Sequence, residues 1–311
     1  MLVRLAVVAI ALLLAAPAQA QQKLTLLLDW FVNPDHGPLF VAQERGYFAE
    51  AGLTVDMVAP ADPNDPPKLV AAGRADLAIS YQPQLTVQAA EGLPLVRIAT
   101  LVATPLNSLV TLRDGPIKSI ADLKGKKIGF SVGGFEDALL KAMLEKHGLK
   151  LTDVQLINVN FTLSPALLAG RVDAVIGAFR NFELNQLDIE GKPGRAFYVE
   201  EEGVPAYDEL IVVANKARVG DPLLRRFVDA VERGTTWMIN HPQEGFALFI
   251  KGRKDLDNEL NRRAWAATLP RFAHSPAALD RARYERFGAF LHKQGLIKQV
   301  PSVESYAVEL R

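Results

Sequence analysis

Short apolar runs alternate with helical stretches along most of this chain, and this alternation is the strongest constraint on its fold. Residues 24–28, 53–58, 75–80 and 95–102 are apolar runs of strand length, and stretches with helical periodicity separate them. Strands that are joined by crossover helices form a mainly parallel sheet with helices on both faces. The first third of the chain therefore predicts an α/β unit.

The same series begins again at residue 127. Residues 72–79 and 169–176 share the pattern A-G-R-x-D-x-x-I, which we call the A-G-R motif, at equivalent points of the two series. We expect each glycine to end a helix in a left-handed conformation, and each arginine to pair with the aspartate of its own turn. After residue 215 the pattern is helical only. The sequence thus predicts two similar lobes, with the C-terminal helices packed on the first.

Extended segments at 107–112 and 209–215 flank the second series, and we interpret them as two crossings between the lobes. We predict that residues 21–108 and 213–311 form the larger, discontinuous first lobe and that residues 109–212 form the second. Two crossings of the chain form a hinge. The predicted fold class is therefore α/β with two lobes, a mainly parallel sheet flanked by helices in each lobe, and two hinge crossovers.

The first twenty residues have the features of an export signal. Arg4 precedes an apolar stretch at 5–16, and Ala18-Gln19-Ala20 fits the small-x-small cleavage rule. We predict cleavage after Ala20 and a mature protein in the periplasm; the alternative is an uncleaved membrane anchor, which the polar residues after Ala20 disfavour. The chain has no cysteine, so we expect neither disulfides nor a lipid-modified cysteine.

Composition and motifs favour a binding protein over an enzyme or a nucleic-acid partner. Lysine plus arginine equal aspartate plus glutamate, at 35 each, so no overall charge attracts nucleic acid. The sequence contains no G-x-S-x-G, H-E-x-x-H or Walker A motif, and its five histidines lack the spacing of metal ligands. We therefore predict no catalytic residues, no metal and no cofactor.

The polar loop after the first predicted strand contains the leading candidate for ligand binding. Open α/β sheets bind ligands beyond the carboxyl ends of their strands, and Trp30 lies at such a point. We expect it to stack on a planar small molecule; the alternative is a tryptophan of the hydrophobic core. Asp29, Asn33 and His36 are expected to contact the ligand or to brace the loop.

Four segments carry a resemblance to a known family. They are Leu28-Asp29-Trp30-x-x-Asn33-x-x-His36-x-x-Leu39, Ala42-x-x-x-Gly46-Tyr47-Phe48-x-x-x-Gly52-Leu53, Leu123-Lys124-Gly125-Lys126-Lys127-Ile128-Gly129 and Gly170-Arg171-Val172-Asp173-Ala174. With them the chain resembles type II periplasmic solute-binding proteins of ABC importers, in the branch related to the fungal thiamine-pyrimidine synthases. The resemblance covers essentially the whole mature chain and is weakest after about residue 215.

The resemblance implies a function and its alternatives. It implies a monomeric carrier that closes on a thiamine precursor, such as formylaminopyrimidine or hydroxymethylpyrimidine, and delivers it to membrane permease subunits. The alternative ligands are an alkanesulfonate, taurine, nitrate or another heterocycle such as a flavin. The fungal relatives are enzymes that consume their own histidine and a pyridoxal phosphate and need a cysteine-rich iron site. His36 lies in the matching string, but the lack of cysteine and the export signal disfavour that activity.

Aromatic and acidic residues follow equivalent strands of the two lobes. Tyr81 and Phe179 end these strands, so both are expected to face the same cleft, although Tyr81 could instead cap its strand. Phe179 or Phe182 is the predicted stacking partner of Trp30. Glu183 lies one helical turn from Phe179, and its carboxylate can accept hydrogen bonds from an aminopyrimidine. The alternative role for Glu183 is favourable interaction with the helix dipole.

Two further sites in the second lobe are weaker candidates. Ser131 and Gly133, with Gly134, form a predicted turn between a strand and a helix, whose backbone N–H groups can bind an anionic or polar ligand group. Asn181 is expected to contact the ligand or to cap the following helix. Because Arg180 is a cation next to Asn181, an anionic ligand is retained as an alternative.

Overall fold

The computed structural model describes residues 21–310, so the predicted signal segment and its cleavage site lie outside the described residues. Ten strands form two five-stranded sheets. In chain order the strands are β1 (Gln22–Leu27), β2 (Leu53–Val58), β3 (Leu77–Ser80), β4 (Leu95–Val102), β5 (Asn107–Leu112), β6 (Lys127–Phe130), β7 (Gln155–Asn158), β8 (Ala174–Phe179), β9 (Gly194–Tyr198) and β10 (Leu210–Asn215). We call each sheet with the helices packed on it a lobe.

The two sheets have the same topology. The strand order is β2-β1-β3-β10-β4 in the first sheet and β7-β6-β8-β5-β9 in the second. In the first sheet β1 is parallel to β2 and β3, and β10 is antiparallel to β3 and β4. In the second, β6 is parallel to β7 and β8, and β5 is antiparallel to β8 and β9. Four strands of each sheet therefore share one direction, which confirms the predicted mainly parallel lobes.

The A-G-R motifs connect neighbouring strands in both lobes. The glycine of each motif has a positive φ, +69° in the first and +66° in the second, as predicted. Asp76 accepts a hydrogen bond from the backbone N–H of Thr25 at 2.7 Å, and Asp173 accepts one from Lys127 at 2.8 Å. The expected pairing with the arginine of the same turn is wrong, because each carboxylate instead binds a backbone N–H of the adjacent parallel strand, and Asp76 also pairs with Arg218.

Eleven α-helices lie in the described part of the chain. They are α1 (Gly37–Glu44), α2 (Tyr47–Glu50), α3 (Pro66–Ala71), α4 (Gln82–Ala90), α5 (Glu136–Lys146), α6 (Leu163–Leu168), α7 (Glu183–Ile189), α8 (Pro222–Asn240), α9 (Pro242–Ile250), α10 (Glu259–Thr268) and α11 (Arg281–Lys293). None of these helices combines the length and the hydropathy of a membrane span.

Helix α8 packs against helices that follow the first strand. It begins after Asp221, whose side chain accepts a hydrogen bond from the backbone N–H of Leu223 at 2.9 Å, and proline occupies its first position. Its buried residues recur at helical spacing, and this face packs against α1 and α2. Phe227 on this face stacks on Phe48 with ring centroids 5.4 Å apart.

Two segments cross between the sheets, residues 103–106 and residues 199–209. The fully buried Glu209 ties them together: its Oε2 accepts hydrogen bonds from the backbone N–H groups of Leu106 at 2.5 Å and Asn107 at 2.8 Å. We propose that the lobe boundaries fall in these segments, within a few residues of the positions that the sequence predicts.

Gly234 lies where α8 crosses α1, and it allows the two helices to approach closely. A Cβ atom there would lie 2.7 Å from the carbonyl oxygen of Pro38 and 2.8 Å from the Cβ of Ala42.

We expect Gly234→Ala to lower the free energy of unfolding by about 1–3 kcal/mol, because this clash outweighs the roughly 1 kcal/mol by which alanine favours a helix. Gly220→Ala is the control, since no atom lies within 4 Å of a Cβ there. Urea denaturation measures both variants, and wild-type stability of Gly234→Ala would contradict the close packing.

Candidate functional site

A cavity lies between the two lobes, and its empty volume, including the part that is open to solvent, is about 390 Å³. It is lined by residues that follow or end strands β1, β3, β6 and β8, together with the start of α6. The lining residues are Asp29, Trp30, Asn33, Asp35, Tyr81, Glu136, Leu163, Gly177, Phe179, Phe182 and Glu183. Four of them are acidic and none is a lysine or arginine. Within residues 21–310, no group of three or more potential metal ligands has the arrangement of a metal site.

The carboxylate of Asp29 is buried and fully hydrogen bonded by its own lobe. Its Oδ1 lies 2.8 Å from Nε2 of His36, and its Oδ2 accepts a hydrogen bond from the Tyr81 hydroxyl at 2.8 Å. Because the backbone N–H of Asn33 donates to Nδ1 of His36 at 3.3 Å, the proton of the imidazole lies on Nε2 and is donated to Asp29. His36 is fully buried behind the cavity lining, so it braces the loop.

Burial and the neighbouring Asp29 carboxylate raise the pKa of the Tyr81 hydroxyl well above its usual value. This hydroxyl therefore stays protonated and donates to Asp29 at any ordinary pH. The ring of Tyr81 stacks on Phe135 with centroids 4.9 Å apart, and it meets Phe179 of the second lobe edge-on at 6.4 Å. Tyr81 thus packs its ring against aromatic residues of the second lobe while its hydroxyl is bound within the first lobe.

Asp35 links the two lobes. Its backbone N–H donates to Oδ1 of Asn33 at 2.9 Å, which fixes the loop. Its own Oδ1 accepts hydrogen bonds from Nδ2 of Asn181, in the second lobe, at 2.6 Å and from Oγ1 of Thr268 at 2.9 Å. Burial raises the pKa of Asp35 to about 6. Asn181 therefore contacts the opposite lobe, and its side chain does not cap the helix that follows.

Glu183 is the first residue of α7, and its carboxyl is buried at the cavity wall. Its Oε2 accepts a hydrogen bond from the backbone N–H of Phe179 at 2.7 Å. Burial, with a smaller contribution from the nearby Asp35, raises the pKa of Glu183 to about 8. At neutral pH the carboxyl therefore holds its proton and has both an O–H donor and an oxygen acceptor.

Glu136 is a second buried carboxyl of the cavity and is not among the site residues that the sequence predicts. It begins α5, and its Oε2 accepts a hydrogen bond from the backbone N–H of Ser131 at 2.8 Å. Burial raises the pKa of Glu136 to about 8. Gly177 makes room for this carboxyl, because a Cβ at its φ of +92° would overlap the Glu136 side chain. In the sequence, a glycine inside an apolar strand is the feature that indicates a close approach of another group, here the Glu136 carboxyl, to the backbone of Gly177.

The turn at Ser131 and Gly133 lies behind the cavity lining. The N–H of Gly133 donates to Oδ1 of Asn64 at 3.0 Å, and Nδ2 of Asn64 donates to the carbonyl of Ser131 at 3.2 Å. The Ser131 hydroxyl donates to the carbonyl of Asn160. Asn64 belongs to the first lobe, so these bonds form a second link across the cleft, and the backbone N–H groups of Ser131 and Gly133 bind protein acceptors.

Aromatic rings from both lobes form the walls of the cavity. Trp30 of the first lobe meets Phe161 of the second edge-on, with centroids 4.6 Å apart, and Phe31 lies 5.7 Å from Phe182. Trp30 is half-buried and packs beside the core of the second lobe. Flat rings with exposed faces in a cleft are typical of sites for planar ligands.

Seven of the eleven predicted site residues line the cavity. They are Asp29, Trp30, Asn33, Tyr81, Phe179, Phe182 and Glu183. The other four, which lie behind the lining and hydrogen bond to it or to the opposite lobe, are His36, Ser131, Gly133 and Asn181. The lining residues that sequence reasoning missed are Asp35, Glu136, Leu163 and Gly177.

The fold is that of the periplasmic binding proteins. The alkanesulfonate-binding protein of Xanthomonas axonopodis pv. citri superposes with a TM-score of 0.73 over 93% of this chain and 99% of that chain, at 15% sequence identity. At this identity the likeness establishes the fold alone. Two lobes with a cavity between them define this class of solute-binding fold.

Within this class, the chain belongs to the NMT1/THI5-like family, whose model matches residues 33–245, and the predicted family is thereby confirmed. A Haemophilus influenzae protein that is provisionally assigned to thiamine biosynthesis is 52% identical over 300 residues, 96% of each chain. The formylaminopyrimidine-binding protein of Halalkalibacterium halodurans is 37% identical over 78% of this chain and 74% of that protein. The 4-amino-5-hydroxymethyl-2-methylpyrimidine phosphate synthase of Legionella pneumophila is 25% identical over 86% of this chain and 85% of that protein.

The raised pKa of Glu183 predicts a pH dependence of stability. The folded protein binds the proton of the Glu183 carboxyl more tightly than the unfolded chain does, so protonation of Glu183 stabilises the fold. This contribution to the free energy of unfolding is complete below pH 4.5 and is lost as the pH rises to about 8. We expect the melting temperature of Glu183→Gln to fall less than that of the wild type between these pH values. Glu190→Gln is the control, since Glu190 is an exposed glutamate just after α7. If the melting temperatures of all three proteins change with pH in parallel, the prediction is contradicted.

Proposed function

We propose that this chain is the periplasmic substrate-binding protein of an ABC importer, and that it binds an aminopyrimidine precursor of thiamine such as formylaminopyrimidine or hydroxymethylpyrimidine. The observation that carries the proposal is one cavity that combines aromatic walls from both lobes with the buried, protonated carboxyl of Glu183. The formylaminopyrimidine-binding relative supports the ligand class. The protein acts as a monomer, makes or breaks no bond, and meets the membrane only through the permease subunits that receive the ligand.

The Glu183 carboxyl matches one edge of an aminopyrimidine. A protonated carboxyl donates through its O–H to a ring nitrogen and accepts through its other oxygen from the exocyclic amine. If the proton moves to the ring, the same two hydrogen bonds join a carboxylate and a cation, which strengthens them. The bond from the N–H of Phe179 to Oε2 fixes the orientation of this carboxyl. The site is therefore preorganised for a two-point contact with a flat heterocycle.

Stacking connects ligand binding with lobe closure. Trp30 comes from the first lobe, and Phe179 and Phe182 come from the second. A planar ring between Trp30 and one of these phenylalanines gains about 0.5–1.5 kcal/mol per stacked pair beyond the burial of its area. Because both walls are complete only when the lobes meet, the ligand stabilises the closed state.

Anionic ligands fit this cavity poorly. Its lining has four acidic residues and no lysine or arginine, so a sulfonate or nitrate would meet carboxyl groups without a cation. Arg180, the cation that kept this alternative open, does not line the cavity. Its guanidinium binds both oxygens of Glu200 at 2.7 and 2.8 Å and stacks on Tyr198 at 4.0 Å.

The synthase activity of distant relatives is the other alternative, and the proposal excludes it for this chain. The sequence has no cysteine from which a cysteine-rich iron site could form. His36, the histidine in the matching string, is fully buried, and both nitrogens of its ring are hydrogen bonded within the first lobe. This histidine therefore has a bracing role in the loop rather than access to a ligand.

Ligand binding tests the proposal through Trp30. We expect formylaminopyrimidine to quench the tryptophan fluorescence of the mature protein, and Trp30→Ala to weaken its binding by about tenfold or more in titration calorimetry, because a stacking wall is lost. Trp237→Phe is the control. Trp237 lies on α8, where Arg45 stacks on it at 4.6 Å, and it does not line the cavity. Binding of nitrate or taurine without binding of any pyrimidine would overturn the proposed ligand class.

A further inference from the structure

The proposed function uses Glu183 and leaves the second buried carboxyl of the cavity, Glu136, without a role. Glu136 is only 4% exposed, and its side chain lines the cavity from the start of α5. Helix α5 has 11 residues and follows a turn between a strand and a helix, the position where α/β proteins commonly bind anions. In this chain a carboxyl of the protein itself occupies that position.

The backbone N–H groups of this turn are bound to protein side chains. The N–H of Ser131 donates to Oε2 of Glu136 at 2.8 Å. The N–H of Gly133 donates to Oδ1 of Asn64 at 3.0 Å. An incoming oxyanion would therefore find these donors already in use and a carboxyl in its place.

The four acidic residues of the cavity divide into two pairs. Asp29 and Asp35 accept hydrogen bonds from side chains of the protein, namely those of His36, Tyr81, Asn181 and Thr268. In the described part of the chain, Glu136 and Glu183 accept hydrogen bonds only from backbone N–H groups. Both of these carboxyls line the cavity, so a ligand can supply the donor or cation that the protein does not.

We propose that Glu136 determines specificity for the second polar group of the ligand, so that the cavity prefers an aminopyrimidine with a cationic aminomethyl substituent and rejects a phosphorylated one. This proposal rests on the proposed function. The ring contacts Glu183 and the aromatic walls, and the ammonium group stabilises the ionised form of Glu136, which gives up its proton to solvent and forms an ion pair. A phosphate at the same position opposes this ionisation, and it gains neither a lysine or arginine of the lining nor a free backbone donor. The absence of a Cβ at Gly177 gives Glu136 the space for this role.

Three ligands that share one ring test this proposal in the mature, full-length protein. They are 4-amino-2-methylpyrimidines that carry an aminomethyl, a hydroxymethyl or a phosphorylated hydroxymethyl group at position 5. In titration calorimetry we expect the wild type to bind the amine about tenfold more tightly than the alcohol, and the phosphate ester about tenfold or more weakly than the alcohol. Equal affinity for the amine and the alcohol, or binding of the phosphate ester as tight as that of the alcohol, overturns the proposal.

The variant Glu136→Gln keeps the shape of the side chain but cannot ionise. Its amide oxygen can still accept from Ser131, so we expect a folded protein in which the amine and the alcohol bind within about threefold of each other. Glu136→Asp can still ionise beside the ammonium group and retains a preference for the amine. Glu145→Gln, an exposed glutamate on the same helix, is the control and keeps wild-type selectivity. Unchanged selectivity in Glu136→Gln overturns the role of this residue.

The outcomes distinguish this proposal from the proposed function. Binding of formylaminopyrimidine or the alcohol without a preference for the amine overturns the role of Glu136 and leaves the aminopyrimidine carrier intact. Failure of the wild type to bind any of these pyrimidines overturns both. Melting curves of the variants show that each is folded before its affinities are compared, so a lost affinity reports on the site.

Discussion

The buried carboxyl of Glu209 holds together the two segments that cross between the lobes, and the geometry of the cavity depends on it. It accepts the N–H groups of Leu106 and Asn107. Asn107 in turn accepts the N–H of Gly177 at 3.1 Å, and Gly177 packs against Glu136. Burial raises the pKa of Glu209 to about 7. A continuous series of contacts thus runs from the crossings to the carboxyl at the cavity wall, so the crossings set both the approach of the lobes and the shape of the site.

The two lobes share a topology but contribute different chemistry. The first lobe supplies Asp29, whose oxygens are satisfied by His36 and Tyr81 of the same lobe. The second lobe supplies Glu136 and Glu183, whose pKa values lie near 8 because burial disfavours their charged forms. The first lobe therefore offers an aromatic wall, and the second offers carboxyl groups that burial keeps protonated. A repeated fold has produced a site without internal symmetry.

Local patterns predicted the architecture, and contacts between distant residues decided the rest. Strand periodicity and the A-G-R motifs gave both lobes, and the position of Trp30 after β1 placed it in the cavity. The role of Asp35 depends on Asn181, 146 positions away, and that of Glu136 depends on the missing Cβ of Gly177. The arginine and aspartate of one turn were expected to pair, but Arg218 and the adjacent strand supplied better partners for Asp76. No local sequence pattern reports such partners.

The hydrogen bonds across the cleft have a consequence for how affinity is set. Asp35 with Asn181, and Asn64 with Gly133, join the lobes through protein atoms alone. Part of the free energy of closure is therefore independent of the ligand, and the observed dissociation constant includes the fraction of molecules that reach the closed form. Substitutions at Asn64 or Asn181 can therefore raise or lower the affinity for the solute without a change in any residue that recognises it.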